Sequence, residues 1–489
     1  MLFAEACGTT SDPTENPAET KQDETVATET ETETADPATI LELPDKNWDG
    51  RVFRVLGYAC SYSQFQTFEI SAEGETGEVV NDANFRRNTA IEDKYNVMIS
   101  EYKDDSNIND WNTATYPHFR KTMLAGDLYD LVFLPLSKAG AAAREHYLLN
   151  MNEVEYIDFS KVWWNQNVND TFSLMDKLYF TSSDFSLRDK NRTYILAFNK
   201  NMAKNYGFED PFAIVQERKW TLDLVTKWSE EVAQDIDGNG KVDYLDAFGI
   251  GCDSINAFTT LVFGGGVKTI DKDADGKPVF ALNNQHTTDV IDKVMALYGN
   301  KAVTLVCDDW NGKSGDRSIW SLSSDAFKEG RALFITCFPH SLPGYSENCK
   351  DDYGVLPFPK YDEVQDSYYS YADSMGMLFA IPVTCQDPSF TGFMLEALSA
   401  ASTDTSLKAY YDISCKMKYT YDAESAQMLD LIFANIQYDL AKIFDIKGVA
   451  GFLYGIGAAK KNTFSSKYAA AESKALTDIE KLIVDYTAE

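Results

Sequence analysis

Short apolar runs separated by stretches of helical periodicity restrict the fold of this chain more than any other feature. Residues 51–57 (RVFRVLG), 97–99 (VMI) and 129–134 (YDLVFL) are the first runs, with helical stretches at 84–95 and 119–124 between them. Residues 51–57 alternate into an apolar run that reads as a first strand, and 129–134 is a short apolar run of the sort buried in a parallel sheet. Strand, helix, strand, helix, strand predicts a doubly wound α/β architecture. The pattern restarts at 193–199 (TYILAFN), continues through helices near 200–206 and 222–234, and repeats as a helix holding Phe327 and Gly330 before the run 332–335 (ALFI). One more buried strand is expected at 377–382. From Asp387 onward the chain reads as almost wholly helical, with 425–433 and 468–484 strongly amphipathic. With 489 residues, two or three domains or two lobes sharing a hinge are expected, because single cores stop growing near about 250–300 residues.

The N-terminal stretch has a different character. Residues 1–8 (MLFAEACG) read like the end of a signal peptide running into a cysteine. Ala4 and Ala6 before Cys7 are similar to a bacterial lipobox, whose cysteine is lipidated after cleavage, although Glu5 departs from that pattern. Residues 11–40 hold nine acids, one lysine and no aromatic, so they cannot bury enough apolar surface to offset their ordering entropy. Residues 1–46 are therefore expected to be a signal remnant, lipid anchor and acidic tether. No window has the roughly 18 apolar residues of a spanning helix. The net charge of -32 argues against nucleic-acid or membrane-surface binding, and it also weighs against an anionic ligand. The eight cysteines show no CxxC and no regular spacing, which suggests free thiols, not a zinc site or a disulfide scaffold.

The sharpest local motif lies at 235–246 (DIDGNGKVDYLD). Oxygen-bearing side chains occupy loop positions 1, 3, 5, 9 and 12, with glycine at 6. A calcium ion takes six or seven oxygens at once, and the glycine permits the sharp bend, so Asp235, Asp237, Asn239, Lys241 (through its carbonyl), Asp243 and Asp246 form a candidate structural Ca2+ site. Asp246 stands where EF-hands carry Glu. Thr221 is placed to cap the entering helix, while 247–251 reads as a strand, so a paired EF-hand switch is not expected. A second acidic stretch, 271–278, fails the pattern and reads as a hairpin turn.

Catalytic motifs are scarce. The four histidines form no HExxH or HxH arrangement, and no GxSxG, Walker or GxGxxG motif occurs. Aromatic residues beside amides at 163–167 (WWNQN), and aromatics in comparably loop-like places at 310–311, 338–340 and 368–371, fit sugar recognition, in which a ring face stacks on C–H groups and planar polar groups bind hydroxyls.

The order of several segments then carries a resemblance: NTAIEDKYNV at 88–97, DLYDLV at 127–132, LAFNK at 196–200, KWT at 219–221, FKEGRALF at 327–334 and DYGVLPFPK at 352–360. Together they resemble the family 1 extracellular solute-binding proteins, the maltodextrin-binding-like group that feeds ABC importers. The resemblance implies a periplasmic-binding-protein type II fold with two α/β lobes and the ligand in the cleft between them. One lobe would combine 47–187 with 372–416 and the other 193–357 with 417–489, with hinge crossings at 188–192 and 358–371. Trp163, Trp164, Asp184, Arg188, Trp310, Phe338, Tyr371 and Asp373 are the implied ligand contacts. It further implies a monomer, tethered through Cys7 to the outer face of the cytoplasmic membrane, that delivers a small molecule, in the first place a sugar, to permease subunits. The competing expectation is a secreted or surface carbohydrate-active enzyme.

Overall fold

Phe53, Val55 and Leu56 are fully buried while Arg51, Val52 and Arg54 stay partly exposed, so the strand Arg51–Leu56 runs into the core as it proceeds. The computed structural model describes residues 36–39, 41–106, 108–109, 115–126, 128–419 and 422–487. Cys7 and most of the acidic stretch lie outside these residues. Ala38–Glu489 forms one compact unit.

Its first sheet has the order Met377–Ala380, Leu131–Pro135, Arg51–Leu56, Val97–Tyr102. The last three strands are parallel and Met377–Ala380 is antiparallel to its neighbour. Leu131–Pro135, an inner strand, is buried at every residue, whereas the edge strand Val97–Tyr102 alternates, with Val97 inside and Met98 54% exposed. Asp130 explains the register. Its buried carboxylate receives the Arg54 amide at 2.8 Å and the guanidinium at 2.6 and 3.0 Å, so the two strands are locked side by side before the apolar run begins.

The second sheet runs Tyr353–Leu356, Ile195–Asn199, Ala332–Cys337, Phe248–Cys252, Thr304–Val306. Phe248–Cys252 is parallel to both of its neighbours, and Ile195–Asn199 is antiparallel to both of its own. The chain passes from the first sheet to the second through 187–194 and returns through 357–376. These passages pair: Thr193 bridges Ala372, and the Tyr194 amide donates to the Tyr371 carbonyl at 2.9 Å. A third passage joins them, because Ser370–Tyr371 pairs in parallel with Ile436–Gln437. The crossing thus includes a ribbon of three segments that pair with one another.

Helices fall close to their expected places, as Val79–Tyr95, Leu222–Val232, Ala423–Ala434 and Phe464–Thr487. Thr221 occupies the N-cap position, but its hydroxyl accepts nothing there. It pairs instead with Lys360, whose carbonyl accepts the Leu222 amide at 2.8 Å, so a backbone group does the capping. The helix Pro388–Ser402 widens into π-helical turns over Thr403–Leu407 and Ala409–Tyr419. Stretch 271–278 is a hairpin turn, with Ile270–Lys272 antiparallel to Pro278–Phe280. Residues 38–46, placed in the tether by composition, belong to the compact unit, and Leu41 and Leu43 pack against the first sheet's core. All seven cysteines among the described residues are free thiols, and only Cys349 is not fully buried. No helix among the described residues is long and apolar enough to cross a membrane.

Candidate functional site

The tandem tryptophans belong to the core of the first sheet. Trp163 and Trp164 are 3% and 1% exposed, and each indole N–H donates to one oxygen of Glu396 at 3.0 Å. Trp164 also meets Phe159 edge-on at 4.9 Å. Their apolar bulk and their single donors are both consumed inside the lobe, so they do not face a cleft. Asp184 lies beside them, accepting from the Thr403 hydroxyl at 2.7 Å, and burial raises its pKa. Trp310 stands apart on the second sheet's side, edge-on to Tyr244 at 5.4 Å.

Glu396 has a consequence for stability. Burial pushes its carboxyl up to about 7 against the pull of the two indole donors. A folded pKa above the unfolded one gives a contribution that is fully present below the unfolded value, near 4.5, and lost as pH rises through about 7. We expect the unfolding free energy to fall by roughly 2–3 kcal/mol more in the wild type than in Glu396→Gln between pH 4.5 and pH 8, measured by urea titration.

The other four expected contacts come together where the chain crosses between sheets. Tyr371 and Asp373 sit on the returning passage, Arg188 on the outgoing one, and Phe338 immediately after the strand Ala332–Cys337. Around them the fold assembles residues that sequence reasoning did not single out: Arg192, Tyr194, Asp253, His340 and the segment 64–68. Arg192 is the centre of the group. Its guanidinium pairs with Asp373 at 3.1 Å and lies over Phe338 at 3.9 Å and Phe65 at 4.9 Å. Phe338 packs on Tyr194 at 4.1 Å and stacks on His340 at 5.2 Å, while Tyr194 stacks on Tyr371 at 6.2 Å. Arg188 lies over Phe68 at 5.0 Å and donates through Nη1 to the Gln64 carbonyl. Segment 64–68 follows the first sheet's opening strand, so both guanidiniums touch the first lobe, and Arg192 reaches the second as well.

Burial sets the electrostatics of this group. It pushes Asp253 up to about 6, with the Thr336 hydroxyl at 3.1 Å pulling the other way, and depresses His340 to about 3, with Arg192 adding to the effect. His340 is therefore neutral at pH 7, and its Nδ1 lies 3.4 Å from the Asn191 carbonyl. Burial lowers Arg188 to about 10, which leaves it a cation at pH 7. Burial also opposes ionisation of Asp373, but the charges of Arg192 and Lys442 and the Met375 amide together outweigh it and hold the carboxyl below its usual range. The missed residues carried one weak signal. Asp253 directly follows Phe248–Cys252 and His340 follows Phe338 by two, and the carboxyl ends of strands are where open α/β sheets bind ligands.

The acidic loop folds as its spacing requires. Gly238 and Gly240 adopt φ of 70° and 71°, and their amides donate to Asp235 at 2.7 Å each. Asp246, 3% exposed, accepts the amides of Ile236 and Asp243. Carboxylate oxygens of Asp235, Asp237 and Asp246 all lie within 4.8 Å of one another. The Asn239 side-chain NH2 donates to Asp237 at 2.7 Å and to Asp243 at 3.2 Å. Asp235, Asp237 and Asp246 thus fit a hard cation, with Asn239, Asp243 and the Lys241 carbonyl close at hand.

No protein-family model matches the sequence, and no curated protein matches it. Solved structures do share the fold. A Listeria monocytogenes ABC substrate-binding protein, Lmo0181, in complex with cycloalternan covers 88% of this chain and 99% of its own at TM-score 0.54 and 12% identity. The maltose-binding periplasmic protein MalE of Listeria monocytogenes, in complex with maltose, covers 88% and 99% at TM-score 0.56 and 14% identity. UgpB of Mycobacterium tuberculosis, in complex with glycerophosphocholine, covers 81% and 95% at TM-score 0.54 and 14% identity. The chain therefore has the type II periplasmic-binding-protein fold of ABC substrate-binding proteins.

Proposed function

We propose that this chain is the extracytoplasmic solute-binding component of an ABC importer. It captures a small polar ligand, in the first place a carbohydrate, at the crossing between its two sheets and delivers it to permease subunits. The observation that carries this is the buried group of Arg192, Asp373, Phe338, Tyr194 and Arg188, built from both lobes on a three-segment ribbon. Such a ribbon can bend while the two sheets move as bodies, which suits closure around a ligand that touches both. The shared fold supports the same reading, with two of the fold relatives holding saccharides. The chain acts by binding, as a monomer, and without turnover. Lipidation at Cys7 would tether it to the outer face of the cytoplasmic membrane.

Thermal-shift screening against oligosaccharides, followed by chromatography of the incubated sugars, tests this. Stabilisation with the sugar recovered intact is expected. Released products would favour a carbohydrate-active enzyme instead.

The loop at 235–246 is proposed to hold a structural calcium ion that ties the helix Leu222–Val232 to the strand Phe248–Cys252. Calcium at a hundred times its Kd should then stabilise the protein by about 2.7 kcal/mol. Asp246→Ala should abolish the effect, and calorimetry with and without chelator checks it.

A further inference from the structure

We infer that the ligand carries a carboxylate held side-on by Arg188, which makes it an acidic saccharide. This deepens the carbohydrate reading above and rests on it.

Arg188 is 1% exposed, and of its donors Nη1 is taken by the Gln64 carbonyl. Nε and Nη2 meet neither a protein acceptor nor solvent. Among the described residues, no carboxylate oxygen lies within 4.0 Å of its nitrogens. The acids nearby are hydrogen-bonded elsewhere, although the Glu69 charge still favours the Arg188 cation. Glu69 accepts the amides of Leu187 and Phe68, Asp189 accepts the Ser182 hydroxyl, Asp184 accepts the Thr403 hydroxyl, and Asp373 holds Arg192. Arg192 likewise keeps its Nε unpartnered.

Buried polar groups are almost always satisfied, and a buried cation with open donors is costly, so these N–H groups point to a ligand. Their arrangement specifies which kind. Nε and Nη2 are neighbours on one edge of a planar guanidinium, with parallel N–H bonds spaced to meet the two oxygens of one carboxylate. A sugar hydroxyl would accept from one donor and leave the other unmet in a site closed to water. Phe68 beneath Arg188 and Phe65 beneath Arg192 fix the planes of both forks. The chain's net charge of -32 acts from farther away, and salt screens it beyond about 8 Å at physiological ionic strength, so the open edge of Arg188 governs the contact at hydrogen-bond distance.

Isothermal titration of the full chain with trigalacturonate, triglucuronate and trimannuronate, against maltotriose and cellotriose, tests the assignment. We expect at least one uronate to bind about 30-fold or more tightly than either neutral sugar. Arg188→Gln should lose that factor for the uronate, and Arg188→Lys should fall between, keeping the charge without the fork. Circular dichroism checks that both variants fold, and the wild-type ratio of acidic to neutral affinity needs no variant. Neutral sugars binding as tightly as the uronates, or an Arg188→Gln protein that keeps the acid preference, would overturn the inference and leave carbohydrate capture standing. If no saccharide of either kind binds, the carbohydrate reading itself falls, and this inference with it.

Discussion

Replacing Trp164 with alanine should cost about 3–5 kcal/mol of stability and leave the ligand affinity of the folded protein unchanged. The side chain is 1% exposed, meets Phe159 edge-on at 4.9 Å and lies 6.1 Å from Phe379 on the first sheet. Alanine opens a cavity that rigid neighbouring strands cannot close, and it strips one of two indole donors from the buried Glu396 carboxyl. Both effects act inside the lobe. Urea unfolding of the variant, paired with calorimetric titration of a ligand found by thermal shift, separates a core role from a binding role. A loss of affinity with little loss of stability would place the tryptophan in the cleft after all.

Removing Asp373 should have a comparable effect by another route. Asp373→Ala leaves the Arg192 guanidinium, 6% exposed, without its counter-charge, and an uncompensated buried cation costs about 3–5 kcal/mol. It also frees the Met375 amide, which donates to the Asp373 carboxylate at 2.8 Å. Replacing both partners, as Arg192→Met with Asp373→Leu, should cost less than Asp373→Ala alone, because no charge is then left buried. A double-mutant cycle in urea measures this. Because the folded pKa of Asp373 is depressed, the contribution of the pair is complete above about pH 4 and is lost only as pH falls through the folded value. Between pH 5 and 8 the cycle should therefore give one answer.

Much of the fold was legible because it depends on local rules. The runs at 51–57, 129–134 and 332–335 read as strands, and the structure places them in two sheets at those positions. The acidic loop was legible for the same reason, since its glycines and carboxylates act within twelve residues. The candidate site was legible only in part. Arg188, Phe338, Tyr371 and Asp373 were found through a resemblance and not through their own chemistry, and Trp163 and Trp164 were drawn in by an aromatic pattern that core and cleft share. An indole beside amides looks the same in sequence whether its N–H meets a sugar or the carboxylate of Glu396, 233 residues away in the chain for Trp163. Arg192 offered no signal at all, because its partners Phe65, Phe338 and Asp373 lie on three separate segments.

The sequence alone determined the alternation of elements, the turn chemistry of the acidic loop and the sign of the overall charge, all properties of neighbouring residues or of their sum. Only the tertiary structure decided which charges meet at the site. It gathers two arginines, two aspartates and a neutral histidine from distant segments, commits the nearby acids to other partners, and leaves one guanidinium edge open. In a strongly acidic chain that outcome is invisible to composition, because Coulomb interactions at contact distance outweigh screened charges many ångströms away.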